Sequence, residues 1–304
     1  IRNLDGVPCN DRHKANIMYL RNKYISINNE MGLIMRKGRP PFTLNEEKRL
    51  TELSDMKQPL DILQKNFSIP ISDEEINTLL NQKSFNYSLI GFRDSPKANL
   101  RAIVGVGDVD NADHVMVYTP GMTSTVSDSI IGKGTEWGKE TKNAENVLRE
   151  ANKLINDDFN KNLGKLDEFG NTVQKSKVAA IVTLDYDAPQ WDNIHTPSHS
   201  VLSEEQAEKG GKHMSSLYDG IQAVHRKDPH LVATGHSYGS TTMGNGLSGS
   251  TAPDEAIGVG SPGLGTNSSS KLNMFPGHVY IGSAPGDIVA GSSWFGDDPS
   301  LNPF

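Results

Sequence analysis

The stretch Leu231-Val-Ala-Thr-Gly-His-Ser237-Tyr-Gly-Ser240 constrains the fold of this chain more than any other. Leu231-Val-Ala reads as a buried strand, and Gly235-His-Ser-Tyr-Gly239 as a sharp turn. Ser240-Thr-Thr-Met-Gly-Asn-Gly-Leu247 reads as a helix whose small residues let it lie close under a sheet. A serine at the tip of such a turn has a strained backbone. Glycines two residues away on either side remove β-carbons that would strike the neighbouring strand and helix, which is the physics behind G-x-S-x-G. The hydroxyl then stands above the sheet, and the helix N-terminus behind it favours developing negative charge. The pentapeptide alone is weak in a chain with 29 glycines, so the strand before it and the helix after it supply the specificity.

Taken in order, the chain opens polar, with Ile17, Leu20 and Tyr24 at helical spacing, and breaks at Gly38-Arg-Pro-Pro41. Thr43-Leu-Asn-Glu46 is a capping-box start followed by Leu50, Leu53 and Met56, with Pro59 expected to interrupt that helix. Ser72-Asp-Glu-Glu75 caps another helix carrying Ile76, Leu79 and Leu80. Residues 1–85 are thus a helical section, expected to pack on a main domain of residues 86–304. There the pattern changes. Residues 87–93 and 100–106 form a hairpin around a turn-rich link, and 114–119 is an apolar strand ending in Pro120-Gly-Met122. A long helix follows, with Val147, Leu148, Ala151, Leu154, Ile155 and Phe159 on one face. Strand 178–184 opens into Asp185-Tyr-Asp-Ala-Pro-Gln-Trp191. A helix capped at Ser203-Glu-Glu-Gln206, with Met214, Leu217, Ile221 and Val224 inward, leads to the serine turn, and strands 255–259 and 278–282 close the chain. Antiparallel strands first, then strands alternating with helices, specify a mostly parallel sheet covered on both faces.

Composition narrows the partners. A net charge of −7 over 304 residues disfavours nucleic acid and anionic membrane as bulk partners. No run of 18 apolar residues suggests a membrane span. The single cysteine, Cys9, leaves no internal disulfide and no cysteine-ligated metal. The compartment, cytoplasmic or secreted, is not readable from a chain that begins at Ile1.

A serine nucleophile needs a base, an acid that orients the base, and an oxyanion hole. Ser237 is the nucleophile candidate. The N–H of Tyr238 is one oxyanion donor, and Pro120-Gly121-Met122 offers the second at Met122, with Gly121 allowing close approach. Asp287, in Ala284-Pro-Gly-Asp287 after the last strand, is the acid candidate. Asp254 precedes a strand and points to the wrong end of the sheet. Asp185, Asp187 and Trp191 sit at the active-site end of strand 178–184 and could shape the pocket or simply form the turn. His236 is expected to be a packing residue at the pocket, because an elbow turns adjacent side chains apart. The base is the missing part: the nine histidines lie at 13, 114, 195, 199, 213, 225, 230, 236 and 278, all before Asp287. One reading places it on a continuation past Phe304, with one more strand and its loop; the other uses His195 or His199. The first is favoured. Gly258-Val-Gly260-Ser-Pro-Gly263 formally matches G-x-G-x-x-G, but no amphipathic helix opens there, so a dinucleotide site is rejected.

Several segments together resemble a family: Leu4-Asp-Gly-Val-Pro8 with Arg12 and Asn16, Ala112-Asp-His-Val115 running into Pro120-Gly-Met122, Tyr186-Asp-Ala-Pro189, Thr234-Gly-His-Ser-Tyr-Gly-Ser240, Gly260-Ser-Pro-Gly263 and Asp297-Asp-Pro299. The chain is similar in these pieces to a family of α/β-hydrolases, formerly of unknown function, common in high-GC Gram-positive bacteria. The resemblance implies a three-layer α/β-hydrolase sandwich with an N-terminal helical section. It implies Ser237 as nucleophile, Asp287 as acid, and a histidine beyond the Asp-Pro motif. The expected activity is that of an esterase or lipase-like acyl hydrolase, needing no cofactor and no metal, on a small-molecule or lipid ester. The alternatives are a thioesterase or acyltransferase, or a non-catalytic binding or effector protein with a protein partner on the same fold.

Overall fold

The computed structural model describes residues 3–37, 42–95, 98–132, 136–166, 171–190, 200, 203–292 and 294–295. Seven strands form one sheet: β1 (Tyr87–Ser95), β2 (Ala98–Val106), β3 (His114–Thr119), β4 (Val178–Leu184), β5 (His230–His236), β6 (Glu255–Val259) and β7 (Val279–Gly282). Their spatial order is β1-β2-β4-β3-β5-β6-β7. The β1–β2 and β2–β4 pairs are antiparallel, and the remaining neighbours are parallel. The buried apolar runs Val115/Val117, Ala179–Leu184 and Leu231/Ala233 place β3, β4 and β5 at the centre, as parallel strands covered on both faces require.

Six helices surround the sheet: α1 (Cys9–Lys37), α2 (Leu44–Asn66), α3 (Asp73–Leu80), α4 (Lys139–Asn162), α5 (Glu205–Val224) and α6 (Tyr238–Leu247). One core layer joins α1, α2 and the π-helical segment Val126–Ile131 to Leu89, Val104, Val182 and Leu184, and the other sets α5 and α6 against Val115, Ile181, Leu231 and Ala256. The chain after β3 passes through α4 to β4, on one side of β3, and later returns through α5 to β5, on its other side. The carboxyl end of β3 is therefore the switch point, where open α/β sheets hold their ligands.

The N-terminal helices seal one sheet edge. A bare edge strand offers unpaired N–H and C=O groups to any other chain. Here side chains from the start of the chain and α1 occupy them. Arg12 Nε donates to Ile90 O (2.9 Å), Asn16 Nδ2 to Leu89 O (2.9 Å), and the Leu89 N–H donates to His13 Nδ1 (2.8 Å). Asn3 pairs with both the C=O and the N–H of Phe92, at 2.9 and 3.0 Å. Asp110, ahead of β3, fixes the start of α1 by accepting from the N–H groups of Cys9 (2.6 Å) and Asn10 (2.9 Å).

Two expectations change. The capping box at Thr43 and Glu46 forms with both arms present, but α2 runs through Pro59 to Asn66. Leu53, Leu60 and Leu63 are buried on both sides of the proline, and that packing outweighs one missing backbone bond. In α4 the inward stripe holds Thr141, Ala144 and Leu148, whereas Val147 is 50% and Leu154 71% exposed. Break segment 38–41 lies outside the described residues. No described helix is long and apolar enough to cross a membrane.

Candidate active site

The site is built where β5 meets α6. Ser237 has φ 52 and ψ −131, a conformation that residues with a β-carbon adopt only when their surroundings over-determine it. Its N–H is held by Val259 O on β6 (2.9 Å) and its carbonyl by the Ser240 N–H (2.9 Å). The two flanking glycines sit where the sequence pattern requires. A β-carbon on Gly235 would lie 2.5 Å from the Ser240 Cα, and one on Gly239 2.2 Å from Thr119 O. Ser237 remains half-exposed at the head of an otherwise buried helix.

The loop leaving β3 comes up against this serine. A β-carbon on Gly121 would stand 2.8 Å from both the His236 carbonyl oxygen and Ser237 Cβ, so only glycine permits the approach. The chain after β4 clamps the loop from the other side. Tyr186 Oη donates to Pro120 O (2.6 Å), and the Thr123 N–H donates to Pro189 O (2.8 Å). Met122, between these anchors, packs against the apolar cluster containing Tyr186 and Ala188. Tyr238 begins α6, so its N–H has no intrahelical acceptor. Its ring turns inward, where its hydroxyl accepts from the Ala207 N–H (3.2 Å) and donates to Ser203 O, and burial pushes the phenol above its ordinary range.

Asp287 stands on the same side. Its Oδ1 accepts from the N–H groups of Val289 (2.9 Å) and Ala290 (3.2 Å), which fixes the carboxylate. Its Oδ2 lies 3.0 Å from where a β-carbon on Gly260 would be, and Gly260 has φ +55. The His236 ring shares that space, with Cδ2 and Nε2 each 3.9 Å from the same point. His236 is thus not the packing residue expected: its side chain is exposed at the carboxyl end of β5, on the Asp287 side. Asp187 makes a two-pronged pair with Arg101 on β2 (2.8 and 3.3 Å). Buried Asp185 pairs with Arg93 at 3.1 Å; burial raises its carboxyl pKa, and Arg93 and His213 oppose that shift. These two carboxylates tie the segment after β4 to β1 through Arg93 and to β2 through Arg101. Asp254 accepts from the Leu231 N–H at the opposite end of the sheet (2.7 Å). Trp191, His195, His199 and Asp297-Asp-Pro299 lie outside the described residues.

Sequence reasoning missed the supports. Ser261, in the loop rejected as a nucleotide site, packs on α6 through Ser240 (2.7 Å), and Thr241 Oγ1 donates to Gly263 O (2.8 Å). The quoted runs Tyr186-Asp-Ala-Pro189 and Gly260-Ser-Pro-Gly263 were the available signal.

The arrangement is that of a three-layer α/β protein with a strained serine at the switch point of its sheet, the class that α/β-hydrolases define. The chain belongs to the alpha/beta hydrolase family, whose model matches residues 95–296. Relatives include uncharacterized proteins of Mycobacterium tuberculosis and Mycobacterium bovis, each 31% identical over 216 residues, 70% of this chain and 71% of theirs. Among solved structures, a lipase/esterase from Lactobacillus plantarum is similar at 10% identity, covering 69% of this chain and 70% of that one with a TM-score of 0.31. Esterase Est22 is similar at 13% identity, covering 83% and 62% with a TM-score of 0.29.

Proposed function

We propose that this chain is a serine hydrolase that cleaves carboxylic esters through an acyl-enzyme on Ser237. The observation that carries the reading is the Ser237 backbone, φ 52 and ψ −131, with the Gly121 loop pressed against it. Strain of this kind clusters where a reactive group must be held out to substrate. Ser237 Oγ attacks the ester carbonyl, and the oxygen that becomes anionic faces the N–H groups of Tyr238 and Met122. The ester C–O bond then breaks, and the alcohol leaves carrying a proton from the base. Water cleaves the acyl-enzyme, releasing the carboxylic acid and restoring the serine. Asp287 is the acid that orients the base. The base is a histidine that must reach Ser237 Oγ on one side and Asp287 on the other.

One observation favours the second reading, a binding or effector protein on the same fold: among the described residues no histidine hydrogen-bonds to Ser237 or Asp287. Fluorophosphonate labelling separates the two. It is run on this chain and on the complete gene product, each with a Ser237→Ala control, beside turnover of p-nitrophenyl butyrate. Labelling and turnover that vanish in Ser237→Ala support the hydrolase. Equal turnover with and without the serine hydroxyl, or no labelling of either form, sinks it. Acyl-thioesters and alcohol acceptors in the same assay identify a thioesterase or acyltransferase.

A further inference from the structure

The loop that reaches Ser237 also walls a cavity. After Gly121 and Met122 the chain reverses at Thr123, whose φ is 62. Residues 124–127 then form one side of a cleft of about 290 Å³, and β2 and the segment leaving β4 form the other. Its apolar lining comes from Leu100, Val126, Leu184, Tyr186 and Ala188. We propose that this cleft is the acyl-chain site of the esterase read above, and that it selects unbranched acyl groups of medium length. The proposal rests on that reading and deepens it.

Three features argue for a hydrocarbon occupant. First, none of the described lining residues carries an ionisable group except Tyr186, which burial keeps in its neutral phenol form. The neighbouring cleft at the β2–β4 corner is the opposite, lined by Arg93, Arg101 and Asp185. Second, two of the polar side chains in the walls are already engaged. Tyr186 Oη is committed to Pro120 O, and Gln190 Nε2 donates to Ala188 O (2.9 Å) and Ser124 O (3.3 Å). A polar ligand would have to break these bonds, whereas a methylene chain leaves them intact. Third, the cleft is one loop away from the reacting atom. Gly121 touches Ser237, Met122 packs on the same apolar cluster as Leu184 and Tyr186, and Ser124 lines the cleft. A chain leaving the carbonyl carbon passes Met122 to enter. The cleft lies at the small end of ligand-site volumes, which suits a slender acyl chain better than a bulky or branched acid.

The test is a series of p-nitrophenyl esters from acetate to dodecanoate on the complete gene product, its Leu100→Trp and Leu100→Ala variants, and Ser237→Ala. Wild type should peak between hexanoate and decanoate. Leu100→Trp should lower the ratio of kcat/KM for octanoate over acetate at least ten-fold, and Leu100→Ala should move the peak to longer chains. A folding defect lowers all esters alike and leaves the ratio in place, so an unchanged ratio in both variants overturns the proposal while the hydrolase reading stands. Octanoate titrated into Ser237→Ala, followed by calorimetry, reads the cleft without turnover. Saturable binding that Leu100→Trp abolishes supports the site even if no ester is cleaved. Absence of binding overturns it.

Discussion

His13 gives this fold a specific acid sensitivity. Its ring is buried between α1 and β1, 2% exposed, against Phe67 and Phe85. Its Nδ1 accepts the Leu89 N–H, a bond only a ring unprotonated at that nitrogen can make. Burial first, and then Lys14, pushes the imidazole down from 6.5 to about 4. The sign follows from proton uptake. Between these two values the unfolded chain binds a proton that the folded chain does not, so stability is full above 6.5 and falls as pH drops toward 4. A depression of this size corresponds to about 2 kcal/mol lost at pH 5 and about 3 kcal/mol below pH 4. For a chain of 304 residues, the pH 5 loss lowers Tm by roughly 3 °C. The reference is His13→Asn, whose Oδ1 falls near the Nδ1 position and accepts the same N–H without titrating. It should be less stable at pH 7, having lost the ring contacts, but its loss between pH 7 and pH 5 should be smaller than wild type's by about 2 kcal/mol. Other titrating groups act in both proteins and cancel in the difference. Parallel stability–pH curves from urea unfolding would refute the assignment.

Two further outcomes follow from packing. Gly239→Ala places a β-carbon against Thr119 O and should cost about 2–4 kcal/mol or abolish soluble expression; Gly32→Ala in α1, with nothing within 4 Å, should instead gain about 0.5–1 kcal/mol, and similar melting temperatures for the pair would contradict the reasoning. Cys9 is buried, and that burial, with Asp110 adding, pushes its thiol far above the ordinary range; native protein at pH 8 should therefore leave DTNB unreacted, one thiol should react in guanidinium, and fast native labelling would show that α1 detaches.

What the sequence discloses depends on how local the cause is. Strands 114–119, 178–184 and 255–259 are legible to the residue, because a buried parallel strand needs a continuous apolar run and its ends are cut by turn residues. The serine turn is legible because its glycines are demanded by contacts a few residues away. Pro59 misleads, since the burial that carries α2 across it comes from outside the helix. Val147 and Leu154 mislead because a helix packed on a sheet buries a stripe narrower than its apolar residues span. The sealing of β1 is invisible in principle: Asn3, Arg12, His13 and Asn16 reach partners more than 70 residues away, and nothing local marks a polar helix face as an edge cover. The exposure of His236 is hidden from the sequence for a related reason. Strand alternation says which side it leaves, but not that β6 and the Asp287 turn leave that side open.

The strain at Ser237 must be held by something, and hydrogen-bond arithmetic identifies it. Ser240 Oγ lies 2.6 Å from Ser237 O and 2.7 Å from Ser261 Oγ, and the Gly263 N–H lies 3.2 Å from Ser261 Oγ. A hydroxyl has one proton and a carbonyl has none. Ser240 therefore shares its proton between Ser237 O and Ser261 Oγ, and Ser261 Oγ also accepts from the Gly263 N–H. The result is a link from the loop after β6 to the carbonyl of the strained residue, with Ser240 and Ser261 both buried. Ser240→Ala removes the donor shared by Ser237 O and Ser261 Oγ, and Ser261→Ala leaves the Gly263 N–H without its acceptor, so each should cost about 1–3 kcal/mol. The double variant loses the Ser240–Ser261 bond only once, so its cost should fall short of the sum by about 1 kcal/mol or more. Urea unfolding of the four proteins measures that coupling. Additivity within about 0.5 kcal/mol would mean that the two serines act separately, and that the Ser237 conformation is held by its backbone bonds to Val259 and Ser240 and by the glycine contacts.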